Sequence, residues 1–285
     1  MKPQKKVGII GYGFVGKALK HGLNSKVKTF EVDPTLGTSI PDLKKFSPDI
    51  IFICVPTPMN DDSSQDISIV ESVFSEILIN NFSSIIVLKS TVLPNHISHL
   101  ENKVKNFVYN PEFLTERNAN DDFIDSDLII FGSNSDNAKD ELSNFYREYT
   151  NCVSKDYVQT DAITASFVKY SINSFLASKV IFFNELKQLF SEIGSEDSWE
   201  SFISYVSRDD RIGSSHMSVP GPDGKKGFGG ACFPKDTNAL LNFAKSKKIE
   251  LSLLNKVIQV NNDIRQKYNE DEREKSQNIR FKNKS

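Results

Sequence analysis

Three cysteines in 285 residues, Cys54, Cys152 and Cys232, are too few and too scattered for a disulfide framework. Their scarcity fits a reducing compartment. Long apolar runs are also missing: no stretch approaches the roughly 18 residues of a membrane-spanning helix. The opening Met1-Lys2-Pro3-Gln4-Lys5-Lys6 lacks the apolar core and cleavage site of a signal peptide. An excess of positive charge is absent too. The net charge of −2 gives no reason to expect a nucleic-acid or anionic-membrane partner. No internal repeat or low-complexity tract interrupts the chain. A cytoplasmic protein is therefore expected. Its 38% hydrophobic and 25% charged residues suit a globular chain with a core, and its length suggests about two domains.

The first half alternates short apolar runs with stretches of helical spacing. Residues 7–10, 27–32, 49–55, 84–88, 107–109 and 128–131 read as strands, and 14–23 and 67–78 as helices. The run 49–55 is continuously apolar, as a strand buried on both faces requires. This alternation predicts an α/β fold with a doubly wound, mostly parallel Rossmann sheet over residues 1–160. The second half changes period. One long helical pattern runs from Asp161, a candidate N-cap, to Ile193 and stops at Gly194. Shorter helical stretches follow at 199–205, 237–246 and 253–266, while the Gly-, Ser- and Pro-rich stretch 214–230 reads as a loop. An all-helical central domain is expected over residues 161–266. The remainder, 267–285, is highly charged and nearly free of apolar residues, and reads as a frayed helix or a disordered tail.

Gly11-Tyr12-Gly13-Phe14-Val15-Gly16 forms a G-x-G-x-x-G between the first strand and the first helix. Alone the pattern is weak, but this setting is the one its mechanism needs. The first glycine makes the tight turn, the second admits a pyrophosphate to the backbone, and the third packs helix on strand. Phosphate then meets the helix N-terminus. Asp33 closes the second strand where a carboxylate can accept from ribose hydroxyls and repel a 2′-phosphate, so NAD is favoured over NADP.

A dinucleotide turn does not name a reaction. The chemistry-bearing segment is Gly227-Phe228-Gly229-Gly230-Ala231-Cys232-Phe233-Pro234-Lys235-Asp236. Its glycines permit close backbone approach, and Pro234 suits the first turn of a helix. Cys232 would then stand at a helix N-terminus with Lys235 three residues on, which favours the nucleophilic thiolate. Cys54 lies in an apolar strand and Cys152 away from any charged cluster, so both read as structural. Asn110-Pro111-Glu112-Phe113-Leu114-Thr115-Glu116 follows a strand, where ligands gather in such sheets. Lys169 and Asn173 lie one turn apart on the long helix, and a lysine there could stabilise an oxyanion.

With these segments the chain resembles the UDP-glucose/GDP-mannose dehydrogenase family. The resemblance rests on the glycine turn, Cys54-Val55-Pro56-Thr57-Pro58, Lys89-Ser90-Thr91-Val92 and residues 110–116. It continues through Lys169-Tyr170-Ser171-Ile172-Asn173, Arg211-Ile212-Gly213 and residues 227–236. The ending Phe233-Pro234-Lys235-Asp236 is most similar to the UDP-glucose branch.

The resemblance implies a four-electron oxidation of a nucleotide sugar with NAD, UDP-glucose to UDP-glucuronate, through a thiohemiacetal and then a thioester on Cys232. It makes Glu112 the base that activates water and Lys169 the oxyanion partner. Asn173 and Asp236 organise a water. Phe14, Val15, Thr57, Ser90, Thr91, Glu116 and Lys235 join the glycines and Asp33 around NAD. Glu112, Phe113, Leu114, Glu116, Lys169, Asn173, Arg211, Phe228 and Gly229 face the sugar nucleotide. No metal is expected, and a homodimer is, through the stretch 253–266. The family's usual chain continues into a third, nucleotide-gripping domain, while this sequence ends after that stretch. Oxidation of GDP-mannose or another nucleotide sugar, or an NAD-binding chain of weak or no activity, stays open.

Overall fold

In the computed structural model, which describes residues 4–282, two continuous apolar runs form the middle of a sheet. These are β3 (Ile50–Ile53) and β4 (Ile85–Leu88), buried at every position. They pair in parallel, Ile50 against Ile85 and Ile53 against Leu88. Around them lie β1 (Lys5–Ile10), β2 (Val27–Val32), β5 (Phe107–Tyr109), β6 (Ile130–Gly132) and β7 (Val158–Thr160), in the order β2-β1-β3-β4-β5-β6-β7. Every neighbouring pair is parallel except β5 with β6. The chain leaves β1 for β2 on one side and returns to β3 on the other. The strand order therefore reverses between β1 and β3, whose carboxyl ends open a crevice.

Side-chain alternation assigns the two faces of this sheet. Ile51, Ile53, Ile86 and Leu88 pack with Leu43 of α2 (Ile40–Phe46), Phe74 of α3 (Ser68–Ile79) and Leu100 of α4 (Pro94–Glu101). Ile50, Phe52, Ile85 and Val87 pack with Leu19 of α1 (Phe14–Gly22), Phe123 of α5 (Ala119–Ile124) and Leu142 of α6 (Asp136–Tyr149). Polar starts set the helix boundaries: the Ser39 and Ser135 side chains accept from Asp42 N–H and Ala138 N–H.

The chain divides into two compact units, one of the described part of Met1–Thr57 with Asp66–Lys169, the other of Pro58–Gln65 with the described residues from Tyr170 on. The division falls inside α7 (Ala162–Glu192) rather than ahead of it. Asp161 Oδ1 accepts from Thr164 N–H at 2.8 Å, as an N-cap should, and Gly194 takes φ +71 just past the last turn. The second unit adds α8 (Trp199–Val206), α9 (Phe233–Ser246), α10 (Ser252–Arg265) and α11 (Glu272–Ser276). Phe228 joins Ala177, Ile181 and Val257 in one apolar cluster, and Trp199 joins Phe183 and Met217 in another. The short excursion Pro58–Gln65 belongs here because Met59 N–H donates to Gln277 O at 3.1 Å and Gln65 Nε2 to Tyr170 Oη at 3.0 Å.

Two sequence expectations change. The helical period read from Thr237 extends back to Phe233, where Pro234 in a first turn and Cys232 at the N-terminus are expected. The charged stretch 267–285 is not a frayed or disordered tail over its described part. It forms α11, whose Asp271 and Glu274 make a capping box, and it buries Glu274, Ile279 and Phe281. Ile279 and Phe281 pack on Met59, and the Arg265 guanidinium lies 5.2 Å from the Phe281 ring. Scattered apolar residues among charges carry no helical period, so the composition concealed them. Residues 283–285 lie outside the described residues. Phe281→Ala should cost about 3–5 kcal/mol in urea unfolding, the usual loss for a buried phenylalanine; an unordered tail would show no change.

Candidate active site and cofactor turn

The chain has three residues between β1 and α1 in which to turn. Gly11 takes φ +90, and a Cβ there would stand 2.7 Å from the Cys54 carbonyl oxygen. At Gly16 a Cβ would stand 2.3 Å from Gly11 O, so glycine lets α1 rest on the turn. Gly13 differs. Its φ of −75 suits any residue, and a Cβ would meet nothing within 4 Å. Nothing described in the chain requires glycine there, whereas a pyrophosphate approaching the backbone does. No side chain caps α1 at Gly13, leaving its first N–H groups for an anion. Phe14 and Val15 are partly buried at this start of α1.

Asp33 follows β2, and its Oδ2 accepts from Tyr12 N–H at 2.7 Å while Oδ1 accepts from Thr35 N–H and Oγ1 at 3.0 and 2.7 Å. Burial pushes the carboxyl up, but these donors outweigh it and hold the group below the usual carboxylate range. The group is thus held as an anion at the end of β2, the position where a carboxylate can accept from ribose hydroxyls. Thr57 Oγ1 donates to Thr91 O at 2.9 Å and Ser90 Oγ to Val55 O at 2.6 Å. The loops after β3 and β4 are thereby tied, bringing Thr57, Ser90 and Thr91 together at the sheet's carboxyl end. Glu116 is exposed in a single 3₁₀ turn, Glu116–Asn118.

In the same unit Glu112 and Lys169 are both buried and paired, Lys169 Nζ to Glu112 Oε1 at 3.0 Å. Glu112 Oε2 accepts from Leu114 N–H at 2.7 Å, and the Lys169 ammonium lies 5.4 Å from the Phe113 ring centre. Beneath them Lys89 donates to Asn110 Oδ1 at 2.9 Å, which also accepts from Tyr146 Oη at 2.6 Å, and Asn110 Nδ2 donates to Ile130 O. Burial pulls the Lys89 ammonium below its ordinary value, against the attraction of Cys54 and Glu112.

In the second unit Cys232 is the N-cap of α9 and Pro234 sits in the first turn. Asp236, one turn on and buried, takes Asn173 Nδ2 on Oδ2 at 2.6 Å and Lys235 Nζ on Oδ1 at 2.5 Å. Lys235 is thus engaged with its neighbour. The Phe228 side chain lies in the core, and its backbone N–H and C=O both pair with the Asn261 amide, at 2.7 and 3.0 Å. Gly229 is held where a Cβ would collide with Arg265 and Glu274. Arg211 points outward in a two-pronged pair with Asp209, at 2.9 and 2.6 Å.

Residues 19–150 match the model of the UDP-glucose/GDP-mannose dehydrogenase family's NAD binding domain, and residues 163–263 that of its central domain. The chain belongs to this family. Its first unit is the family's NAD-binding domain, and NAD is the cofactor. It is 37% identical over 220 residues to a UDP-glucose 6-dehydrogenase of Rickettsia bellii (strain RML369-C), covering 75% of this chain and 49% of that one. To the UDP-glucose 6-dehydrogenase of Rickettsia prowazekii (strain Madrid E) it is 34% identical over 269 residues, covering 91% and 58%. The chain spans about half the length of the curated relatives it matches. It is also similar to the structure of a UDP-glucose dehydrogenase from the hyperthermophilic archaeon Pyrobaculum islandicum. The TM-score is 0.71 at 27% identity, over 90% of this chain and 68% of that one.

Within this family member, sequence reasoning gave no role to Lys89, Asn184, Asn261, Arg265 and Glu274, which the structure buries in polar contacts with these segments. Only Glu274 carried a legible signal, the Asp271-x-x-Glu274 spacing of a capping box. The other thiols behave as the sequence suggests. Cys54 is pushed up to about 12 by burial, and Cys152 is raised by burial with its Sγ on Phe123 O. A raised thiol pKa leaves thiolate only at high pH, roughly one Cys54 in ten thousand at pH 8. Iodoacetamide at pH 8 should therefore label Cys232 ahead of Cys54 and Cys152 by peptide mass mapping. Gly13→Ala should leave the melting temperature unchanged and raise the Kd for NAD at least tenfold by titration calorimetry. A lost fold with retained affinity would contradict the role given to Gly13.

Proposed function

We propose that this chain is an NAD-dependent nucleotide-sugar 6-dehydrogenase that takes UDP-glucose to UDP-glucuronate by a four-electron oxidation through Cys232. The observation that carries the reading is the start of α9: a partly buried cysteine at its N-cap, with Asp236 one turn on fixed between Asn173 and Lys235. A general hydride-transfer enzyme has no need of a thiol in that position, whereas a double oxidation does. A sulfur that holds the aldehyde covalently prevents its escape between the two steps.

Bound NAD supplies the hydride acceptor. The residues of the chain do the rest. The sugar C6 alcohol loses a proton and a hydride and becomes an aldehyde. Cys232 Sγ adds to the carbonyl carbon, and the new oxygen takes up the charge that Lys169 is suited to balance. Loss of a second hydride from that carbon leaves a thioester. Water, activated by Glu112, adds to the thioester carbonyl, and the C–S bond breaks to give the carboxylate and the Cys232 thiol. Family membership supports these roles, and the buried pairs Lys169–Glu112 and Asn173–Asp236 support them from the chain itself.

The test is stoichiometric. Pure protein with excess NAD and limiting UDP-glucose should yield two NADH per sugar. Cys232→Ser should lower product formation at least a thousandfold while leaving NAD affinity within about threefold, the pattern of a lost covalent nucleophile. One NADH per sugar, or turnover only with GDP-mannose or another nucleotide sugar in a parallel panel, would contradict the reading.

A further inference from the structure

The segment that leads into Cys232 has little structure of its own. Residues 227–230 are three glycines and a phenylalanine outside any helix or strand. Gly227 and Gly230 have φ of +71 and +76, and apart from the Phe228 ring, buried in the core, the stretch has no side chain to hold it. Other elements of the second unit grip its backbone instead. Asn184 of α7 accepts from Gly227 N–H at 3.0 Å, and Asn261 of α10 pairs with both polar groups of Phe228. Glu274 of α11 accepts from Gly230 N–H at 3.1 Å, two residues before the cysteine.

Glu274 is fully buried and fully engaged. Oε1 also accepts from Arg265 Nη2 at 2.6 Å, and Oε2 from Asp271 N–H at 2.8 Å. Arg265, itself buried, reaches Asp223 Oδ2 with Nη1 at 2.7 Å, at the far side of the same loop. A Cβ at Gly229 would stand 2.1 Å from Arg265 Nη2 and 2.3 Å from Glu274 Oε1. The glycine loop and the ion pair are thus fitted to each other. A carboxylate is an expensive group to bury for packing alone, and this one is spent on a backbone amide beside the thiol.

We propose that Glu274, fixed by Arg265, is a positioning residue that holds the loop 227–230 so that Cys232 is presented, partly covered, at the start of α9. This rests on the reading of Cys232 as the nucleophile, but its readout does not need turnover. Glu274→Asp keeps a carboxylate facing Arg265 but draws it back by one methylene, withdrawing Oε1 from Gly230 N–H and lengthening its pair with Arg265 Nη2, since one oxygen serves both. Glu274→Gln keeps an acceptor oxygen in place and loses the charge.

The full chain is treated with iodoacetamide and Cys232 alkylation is timed by peptide mass mapping, with Cys54 and Cys152 as internal references and the melting temperature recorded. Glu274→Asp should raise the Cys232 rate at least fivefold as the freed loop uncovers the sulfur. Glu274→Gln should stay within about twofold, even where its melting temperature falls further. A Glu274→Asp rate within twofold of the parent, or rates in both variants that simply follow the melting temperature, overturns the proposal. If the protein oxidises no nucleotide sugar yet shows the fivefold rise, the proposed activity fails and the positioning role stands.

Discussion

Burying a carboxylate costs several kcal/mol unless donors replace its water, and the acids buried among the described residues are Glu112, Asp236 and Glu274. Each is satisfied in the same way, by one cation and at least one further donor. Glu112 has Lys169 and the Leu114 amide, Asp236 has Lys235 and the Asn173 amide, and Glu274 has Arg265 and the amides of Gly230 and Asp271. A pair of this kind tolerates little drift, because removing either member leaves an uncompensated charge. Each acid therefore fixes its surroundings: the loop after β5, the first turn of α9, and the glycine stretch ahead of Cys232. Ordinary packing sets the sheet and helices, and the buried acids set where the reactive groups sit on them.

The glycines divide along a related line. Gly11, Gly16 and Gly229 are required by atoms already in the chain, since a Cβ at each would fall within 2.7 Å of a backbone or charged side-chain atom. Gly13 is required by nothing in the chain and has open space where its side chain would be. The first kind secures the fold, and the second leaves open space of the kind that a bound dinucleotide's phosphates need beside the backbone. The first and third glycines of the turn could exchange reasons with those of many tight turns. The middle one could not, so its open surroundings are a sharper sign of a dinucleotide site than the spacing of the motif alone.

Much of the first unit was legible because its signals are local. The runs at 50–53 and 85–88 are too short and too continuously apolar for helices, and the glycine turn sits between a strand and a helix. The weaker strand Val158–Thr160 and the helix Asp136–Tyr149 went unread: the strand has exposed positions, and the helix carries few apolar residues on its surface. The α9 boundary was legible from Pro234 rather than from helical period: the apolar spacing starts only near Thr237, whereas a proline suits the first turn that the structure shows. The tail escaped for a deeper reason. Its order depends on partners outside it, Arg265 just ahead of it and Met59 near the other end of the chain, and a composition of mixed charge gives no hint that one glutamate will be buried. Of the candidate residues, those with a motif around them could be named. Lys89, Asn184 and Asn261 act through hydrogen bonds to backbone or amide groups, and no spacing announces those partners.

The three cysteines show why environment rather than neighbourhood decides reactivity. Cys54 has a lysine nearby, Lys89, whose charge pulls its thiol downward. Burial dominates all the same, driving the thiol up and, at the same site, the Lys89 ammonium down. Each group is pressed toward its neutral form, so their proximity does not make an ion pair. A nucleophilic thiol needs stabilisation that does not itself suffer desolvation. Fixed backbone dipoles supply this, because the N–H groups at a helix start carry partial charge without a hydration shell to lose. Cys232 has that position on α9, and its neighbouring carboxylate is already neutralised by Lys235. The lysine of the segment thus balances Asp236, and the start of α9 acts on Cys232 through its backbone dipoles. Under the proposed reaction the thiol first attacks an aldehyde and later leaves a thioester, so the buried carboxylate one turn away has to be balanced by a group other than the sulfur, and Lys235 balances it.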